Sequence, residues 1–345
     1  MTSLTDLSIS ALWQRAFLMV QAQMLHWCGP TIKHCLYFNA KLDAEILRKA
    51  MEGFGCDKDT IVQVLCARSN AQRQQIAREF KVLYKKDIKK ELKSELSGAF
   101  EELILALMET PVHFICHQLR KAMKGVGTRE NVLVEVLISH SNEEIKEIKH
   151  EYYRLFDKKL DKDIIGETSG EFQRLLVCLL SAGRDETRHT DNYKAESDAR
   201  LLYEAWKKKC AITEEVDFIK MLTTQNFDQI RLLFFKYNQI AGHPIESAIE
   251  TQFRGGDTRD ALLALARRIR NRTAYFAGQL DKYTEGILGT RDTDLIRVIV
   301  SRSEIDLVDI KMEFNRLQGV PLERALGDSC SGAYKDALIA LVKGN

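Results

Sequence analysis

The chain has 345 residues, with 51 Lys+Arg against 49 Asp+Glu and a formal net charge of +2. At 45% hydrophobic and 29% charged it is neither a disordered polyelectrolyte nor a membrane bundle. The charge balance lacks the basic excess of a dedicated nucleic-acid binder or a polybasic membrane anchor, and only 4 prolines point to helix.

The first element, residues 8–28 (SISALWQRAFLMVQAQMLHWC), is apolar-rich but interrupted by Gln14, Arg15, Gln21, Gln23 and His26. A spanning helix needs about 20 predominantly apolar residues, so this stretch reads as an amphipathic helix that packs on the body or is poorly ordered. The alternative is an interfacial or partner-binding helix, through which a protein partner would attach. Met1–Leu7 holds no Lys or Arg, unlike a secretory leader. Residues 1–36 therefore form a head, and the expected location is cytoplasmic. The eight cysteines include no C-x-x-C pair and read as reduced thiols. His26-Trp27-Cys28 and His34-Cys35 fit no standard zinc spacing.

Beyond the head, three signatures recur. MEGFGCDKD from Met51 and MKGVGTREN from Met123 carry a G-x-G, with the looser EGILGTRDT from Glu285. Four segments follow the pattern ARSNAQRQQIAREF, SHSNEEIKEIKHEY, TQNFDQIRLLFFKY and SRSEIDLVDIKMEF. A last signature centres on Gly98, Gly170, Gly256 and Gly332. The chain thus divides into four units: 37–109, 110–182, 199–269 and 270–345, with a polar linker at 183–198. Apolar residues recur at i, i+3, i+4 in Ile61–Ala67 and Val132–Ile138, and no stretch alternates like a strand. The expected fold class is all-α, with about five short helices per unit and the glycine signatures between them.

The G-x-G loops follow helices rather than strands, so the nucleotide-binding reading fails. Glycine lets a loop present backbone carbonyls to a cation. An acid follows each complete loop at the same offset, Glu95 after Met51 and Glu167 after Met123. Calcium takes six to eight oxygens, often carbonyls with one bidentate carboxylate. The carbonyls of Met51, Gly53 and Gly55 with Glu95, and of Met123, Gly125 and Gly127 with Glu167, supply most of such a shell.

On these motifs the sequence resembles the annexin family, whose pattern is four repeats of about 70 residues, each with a K-G-x-G-T-[DE] loop and a distal acid. MKGVGTRE, GETSG, SRSEIDL and RSNAQRQQI carry the resemblance, which covers residues 37–345. It implies a gently curved all-helical disc with calcium loops on its convex face. It also implies reversible, calcium-dependent binding to anionic phospholipid membranes, and no enzymatic activity.

Several positions depart from the pattern. In the first repeat Cys56-Asp57 replaces Thr-Asp and Lys58 stands where an acid is common; in the second, Arg129 replaces an acid or amide. In the third the loop is Lys209-Cys210-Ala211-Ile212-Thr213-Glu214 and the acid position falls at Phe253 or Arg254, so no calcium is expected there. Lys207, Lys208 and Lys209 could touch lipid phosphate directly. The fourth loop retains Gly289, with Ile287 at a position that favours glycine and Asp328 as its candidate acid. The family has also been described as conducting ions through a polar centre. Ile115 and Gln118 supply no acid there and His140 replaces the usual Arg, although Arg297 remains, which speaks against that activity here.

No nucleophile elbow, H-E-x-x-H or EF-hand loop is present. His113 and His117 share a helical face near Glu109, but read as an ordinary surface or core pair. The two functional readings are a calcium-dependent membrane binder and an interaction scaffold whose calcium dependence has largely decayed.

Overall fold

The computed structural model describes residues 29–53, 55–125, 127–207, 217–253, 255–285 and 291–345. The head element at 8–28, Lys208–Glu214 and the fourth loop with Ile287 and Gly289 lie outside the described residues. Among the described residues there are twenty α-helices and no strand. The first five are α1 Ala40–Ala50, α2 Lys58–Leu65, α3 Asn70–Tyr84, α4 Ile88–Glu95 and α5 Gly98–Leu107. The next are α6 Pro111–Ala122, α7 Glu130–Ser139, α8 Asn142–Phe156, α9 Leu160–Glu167 and α10 Gly170–Leu180. The third set is α11 Asn192–Lys207, α12 Phe218–Thr224, α13 Phe227–Ala241, α14 Ile245–Gln252 and α15 Asp257–Arg270. The last is α16 Arg272–Thr284, α17 Asp292–Arg302, α18 Leu307–Gln318, α19 Leu322–Ser329 and α20 Gly332–Lys343.

The recurrent signatures have local causes. The S-N segments are helix starts: Ser69 with Gln72 and Ser141 with Glu144 form capping boxes for α3 and α8, and Asn226 caps α13 at the Gln229 amide. Each box satisfies two otherwise orphaned backbone donors. The last signature places Gly98, Gly170 and Gly332 at φ +65°, +60° and +60° as their helices begin, a region where glycine carries no Cβ penalty. The linker differs from expectation in one respect. Asp191 caps the Lys194 amide at 3.0 Å and α11 starts at Asn192, burying Ala195 and Ala199, so the second half of the polar stretch is helical.

Packing across the sets pairs them. Helices α7 and α10 pack on α15, joining the second set to the third, while α5 packs on α17 and α2 on α20, joining the first to the fourth. Arg73, 2% exposed, reinforces the latter junction. Its guanidinium donates to the carbonyls of Leu107 (2.8 Å) and Leu65 (3.1 Å) and pairs with Glu304 at 2.7 Å. A short strap does the same: Ile32 N donates to Ser303 O (3.0 Å), Val308 N to Gly29 O (3.1 Å), and the Asn345 amide group to Ala67 O (2.9 Å). Gly344, at φ +87°, passes so close to this strap that a Cβ would sit 2.2 Å from Thr31 O. Gly344→Ala is therefore expected to cost about 1–3 kcal/mol of local stability. Native-state hydrogen exchange should show the Asn345 amide, bonded to Thr31 O, losing its protection while α7 and α15 keep theirs.

Candidate functional site

The two complete glycine loops have nearly identical backbones. Helix α1 ends at Met51 (φ −101°, ψ 6°) and α6 at Met123 (φ −103°, ψ 2°), and both methionines are buried, anchoring the loop start. Gly53 and Gly55 take φ +100° and +94°, Gly125 and Gly127 +122° and +82°. A side chain at any of the four would be strained. Each loop is closed by the same backbone bond: Asp57 N donates to Ala50 O (2.8 Å) and Arg129 N to Ala122 O (2.9 Å).

Tertiary packing brings the distal acids to these loops. Thr128 Oγ1 donates to Glu167 O at 3.3 Å and to its Oε2 at 3.4 Å. In the first loop Cys56 stands in place of Thr128; burial and then the nearby Glu95 carboxylate push its thiol above the ordinary range. Glu95 and Glu167 are both exposed and are the last residues of α4 and α9. A carboxylate there faces the negative end of the helix dipole, an arrangement that a bound cation relieves. Carbonyls plus one carboxylate, without sulfur or imidazole, suit a hard divalent cation. Among the described residues no three His, Cys, Asp or Glu side chains converge as a metal cluster, and a carbonyl shell does not need one.

The departures in these loops also have local explanations. Asp57 is the N-cap of α2, accepting from Thr60 N (3.0 Å) and Thr60 Oγ1 (2.8 Å), bonds that lower its pKa. Arg129 reaches away from its loop to Asp294 at 2.6 Å.

The other two sets lack the acid. Helices α4, α9, α14 and α19 are all eight residues long, and their last residues are Glu95, Glu167, Gln252 and Ser329. Ser329 thus holds the acid's place in the fourth set. Asp328 lies one residue earlier, rotated about 100° round the helix, and is 3.9 Å from Arg324. In the third set the place belongs to Gln252, whose amide donates to Trp206 O (3.1 Å), rather than to Phe253 or Arg254. Phe253 is the C-cap of α14, and Arg254 lies outside the described residues.

The sequence reading named Arg297 but missed the acids that surround it. Arg297, 1% exposed, forms a two-pronged pair with Glu135 (both 2.8 Å) and a bond to Asp294 at 2.5 Å. Tyr283 OH donates to Glu135 at 3.5 Å. Burial opposes the Arg297 charge, yet Glu135 and its neighbours hold the pKa well above the ordinary value. Glu135 and Arg297 line a cavity of about 300 Å³ together with Arg73, Glu109 and His140. The acids of this polar centre come from α7 and α17, not from the neighbourhood of Ile115 and Gln118, which are buried on α6. A lone Glu amid the apolar VLVEVLIS was the available signal.

The histidine pair separates, His117 bonding to Glu109 (2.6 Å) and His113 to Glu151. Cys66 and Cys116 are buried, and burial raises each thiol to about 12. Lys207 lies 5.8 Å from the Tyr203 ring. No described helix is long and apolar enough to cross a membrane.

Comparison with known proteins agrees with the four-fold arrangement. The annexin family model matches residues 42–107, 114–179, 197–265 and 275–341. Annexin A4 of Bos taurus is 44% identical over 317 residues, covering 92% of this chain and 98% of that protein. Annexin A5 of Cynops pyrrhogaster is 44% identical over 312 residues, with 90% and 95% covered. The crystal structure of chicken annexin V in complex with Zn2+ superposes with a TM-score of 0.86 at 44% identity, covering 92% of this chain and 99% of that one. Calcium-bound annexin (Sm)1 gives 0.79 at 30% identity, with 91% and 92% covered.

Proposed function

The chain belongs to the annexin family, and from that premise we propose that it binds anionic phospholipid membranes through calcium held at its first two glycine loops. The family is generally one of calcium-dependent phospholipid binders. The observation that carries the reading is the meeting of each loop with a distal acid, most directly Thr128 with Glu167.

The carbonyls of Met51, Gly53 and Gly55 with Glu95 would hold one ion, and those of Met123, Gly125 and Gly127 with Glu167 another. Bound calcium supplies the positive charge that joins protein oxygens to headgroup phosphate. The chain contributes the rest. Its glycines take the positive φ that the loop requires, its buried methionines fix the loop start, and its near-neutral charge leaves little attraction to an anionic surface without the ion. The second site ranks above the first, because a hydroxyl orients Glu167 where a thiol, a weaker donor, meets Glu95. The third set contributes no calcium site. The fourth, with Ile287, Gly289 and Asp328, contributes least among the remainder, since Ser329 occupies the acid's place.

We infer a cytoplasmic protein that associates with membranes reversibly and performs no catalysis. Cosedimentation with phosphatidylserine–phosphatidylcholine vesicles tests the reading. The protein should pellet in calcium and stay in the supernatant in chelator. Pelleting that ignores calcium, or no pelleting at all, would overturn it. The missing acids of the third and fourth sets favour one alternative, a scaffold that meets a protein partner through its head; calcium-independent pelleting would point there.

A further inference from the structure

At the far end of α7 from its glycine loop, a cavity of about 600 Å³ opens between the second and third helix sets. Five arginines line it: Arg184, Arg188, Arg231, Arg268 and Arg272. The carboxylates on its wall are already engaged. Asp185 accepts from Thr187 and Asn226, Glu186 from the Asn142 amide, and Glu144 from Ser141, while Asp228 pairs with Arg231. Behind the wall, Arg272 and Arg302 share a single buried carboxylate, Asp306, at 2.9 and 2.6 Å.

Arg268 is the unmatched member. It is 8% exposed, its Nε has no hydrogen-bond partner, and its guanidinium forms no ion pair among the described residues. It stacks 5.2 Å from the centre of the Phe227 ring, which also carries Arg184 at 4.4 Å. Ser139 Oγ, on the same cavity, is likewise buried without a partner. Burial, then repulsion from Arg272 and Arg302, pushes Arg268 down to about 9. Asp306 offsets this only in part, and a buried guanidinium without an ion-pair partner is unfavourable, a penalty that an anion drawn into the cavity reduces.

We propose that this cavity binds a small phosphorylated molecule, with Arg268 and Arg272 as its main contacts and exposed Arg188 at the mouth. The planar fork of guanidinium matches phosphate oxygens two at a time. Several guanidiniums on one wall suit a multiply charged anion, and the volume falls within the range of small-molecule pockets. Phosphate could arrive on a soluble compound or on a lipid headgroup. Ser139 lies the whole of α7, about 15 Å, from the Met123–Arg129 loop. A flat bilayer touching that loop leaves the cavity on the other side, so the ligand is soluble.

The test uses the full chain in chelator, which separates it from calcium-dependent membrane binding. Inorganic pyrophosphate is titrated by calorimetry and by thermal shift. Saturable binding of one ion per chain is expected, weakened at least about tenfold in Arg268→Gln/Arg272→Gln, a loss of roughly 1.4 kcal/mol. Should that variant not fold, Arg188→Gln, at an exposed position, must still weaken binding about twofold or more. No saturable binding at millimolar pyrophosphate, or unchanged affinity in the variants, overturns the site. Pelleting with phosphatidylinositol bisphosphate vesicles in chelator, lost in the variants, overturns the soluble source.

Discussion

Glu167→Gln should raise the calcium concentration for half-maximal vesicle binding by about tenfold or more. The substitution keeps the size of the side chain and its hydrogen bond from Thr128 but removes its charge. A charged contact is worth about 1.5–3 kcal/mol more than its absence, and roughly 1.4 kcal/mol corresponds to tenfold. Calcium affinity follows the charge of its ligands, so the loss falls on the ion before it falls on the lipid. Binding persists at higher calcium because the loop with Glu95 remains. Glu95→Gln should shift the curve less, since the Cys56 thiol beside that acid is a weaker donor than the Thr128 hydroxyl. Asp328→Asn should shift it least, as Asp328 sits one residue off the position that Glu95 and Glu167 share and lies beside Arg324. Calcium-dependent cosedimentation of the three variants gives the order; a larger effect at Asp328 than at Glu167 would show the fourth site to be the stronger one.

Glu135→Leu should cost about 3–5 kcal/mol of unfolding free energy, the usual result of removing one partner from a buried ion pair. Arg297 would keep one carboxylate, Asp294, itself shared with Arg129, and the Tyr283 hydroxyl at 3.4 Å, for a guanidinium that is 1% exposed. The double variant Glu135→Leu/Arg297→Met should be less destabilised than Glu135→Leu alone, because no uncompensated charge is left behind. Urea unfolding of the parent protein, the single variants Glu135→Leu and Arg297→Met, and the double variant measures the coupling. If the double variant loses the sum of the single losses, the pair is not acting as a unit. The pair ties α7 of the second helix set to α17 of the fourth, on the wall of the cavity that both residues line. Vesicle binding in calcium should be largely retained in the double variant, since neither residue belongs to a glycine loop.

Much of this protein was decided by local rules. The helical period, the capping-box pairs Ser69–Gln72 and Ser141–Glu144, and glycines at positive φ act over a few residues, so they can be read directly from the chain. The four-fold repeat made them more secure, because the same local solution appears several times. The constant offset from Met51 to Glu95 and from Met123 to Glu167 carried the candidate sites for the same reason.

What the chain alone did not decide depends on position within three-dimensional packing. The segment GDSCSG offered Asp328 as the fourth acid; the end of α19 is Ser329, and one residue along a helix turns the side chain by about 100°. Counting to Phe253 missed Gln252, since the turn before Gly256 is one residue longer than its counterparts. Glu135 and Arg297 are far apart in sequence, and Arg268 and Asp306 lie on different helix sets. Periodicity shows which face of a helix is apolar, but the partner of a buried charge is set by which helices meet. Sequence therefore determined the helices, the repeat and the loops. Only the tertiary structure decided which buried charges are matched and which, like Arg268, form no ion pair among the described residues.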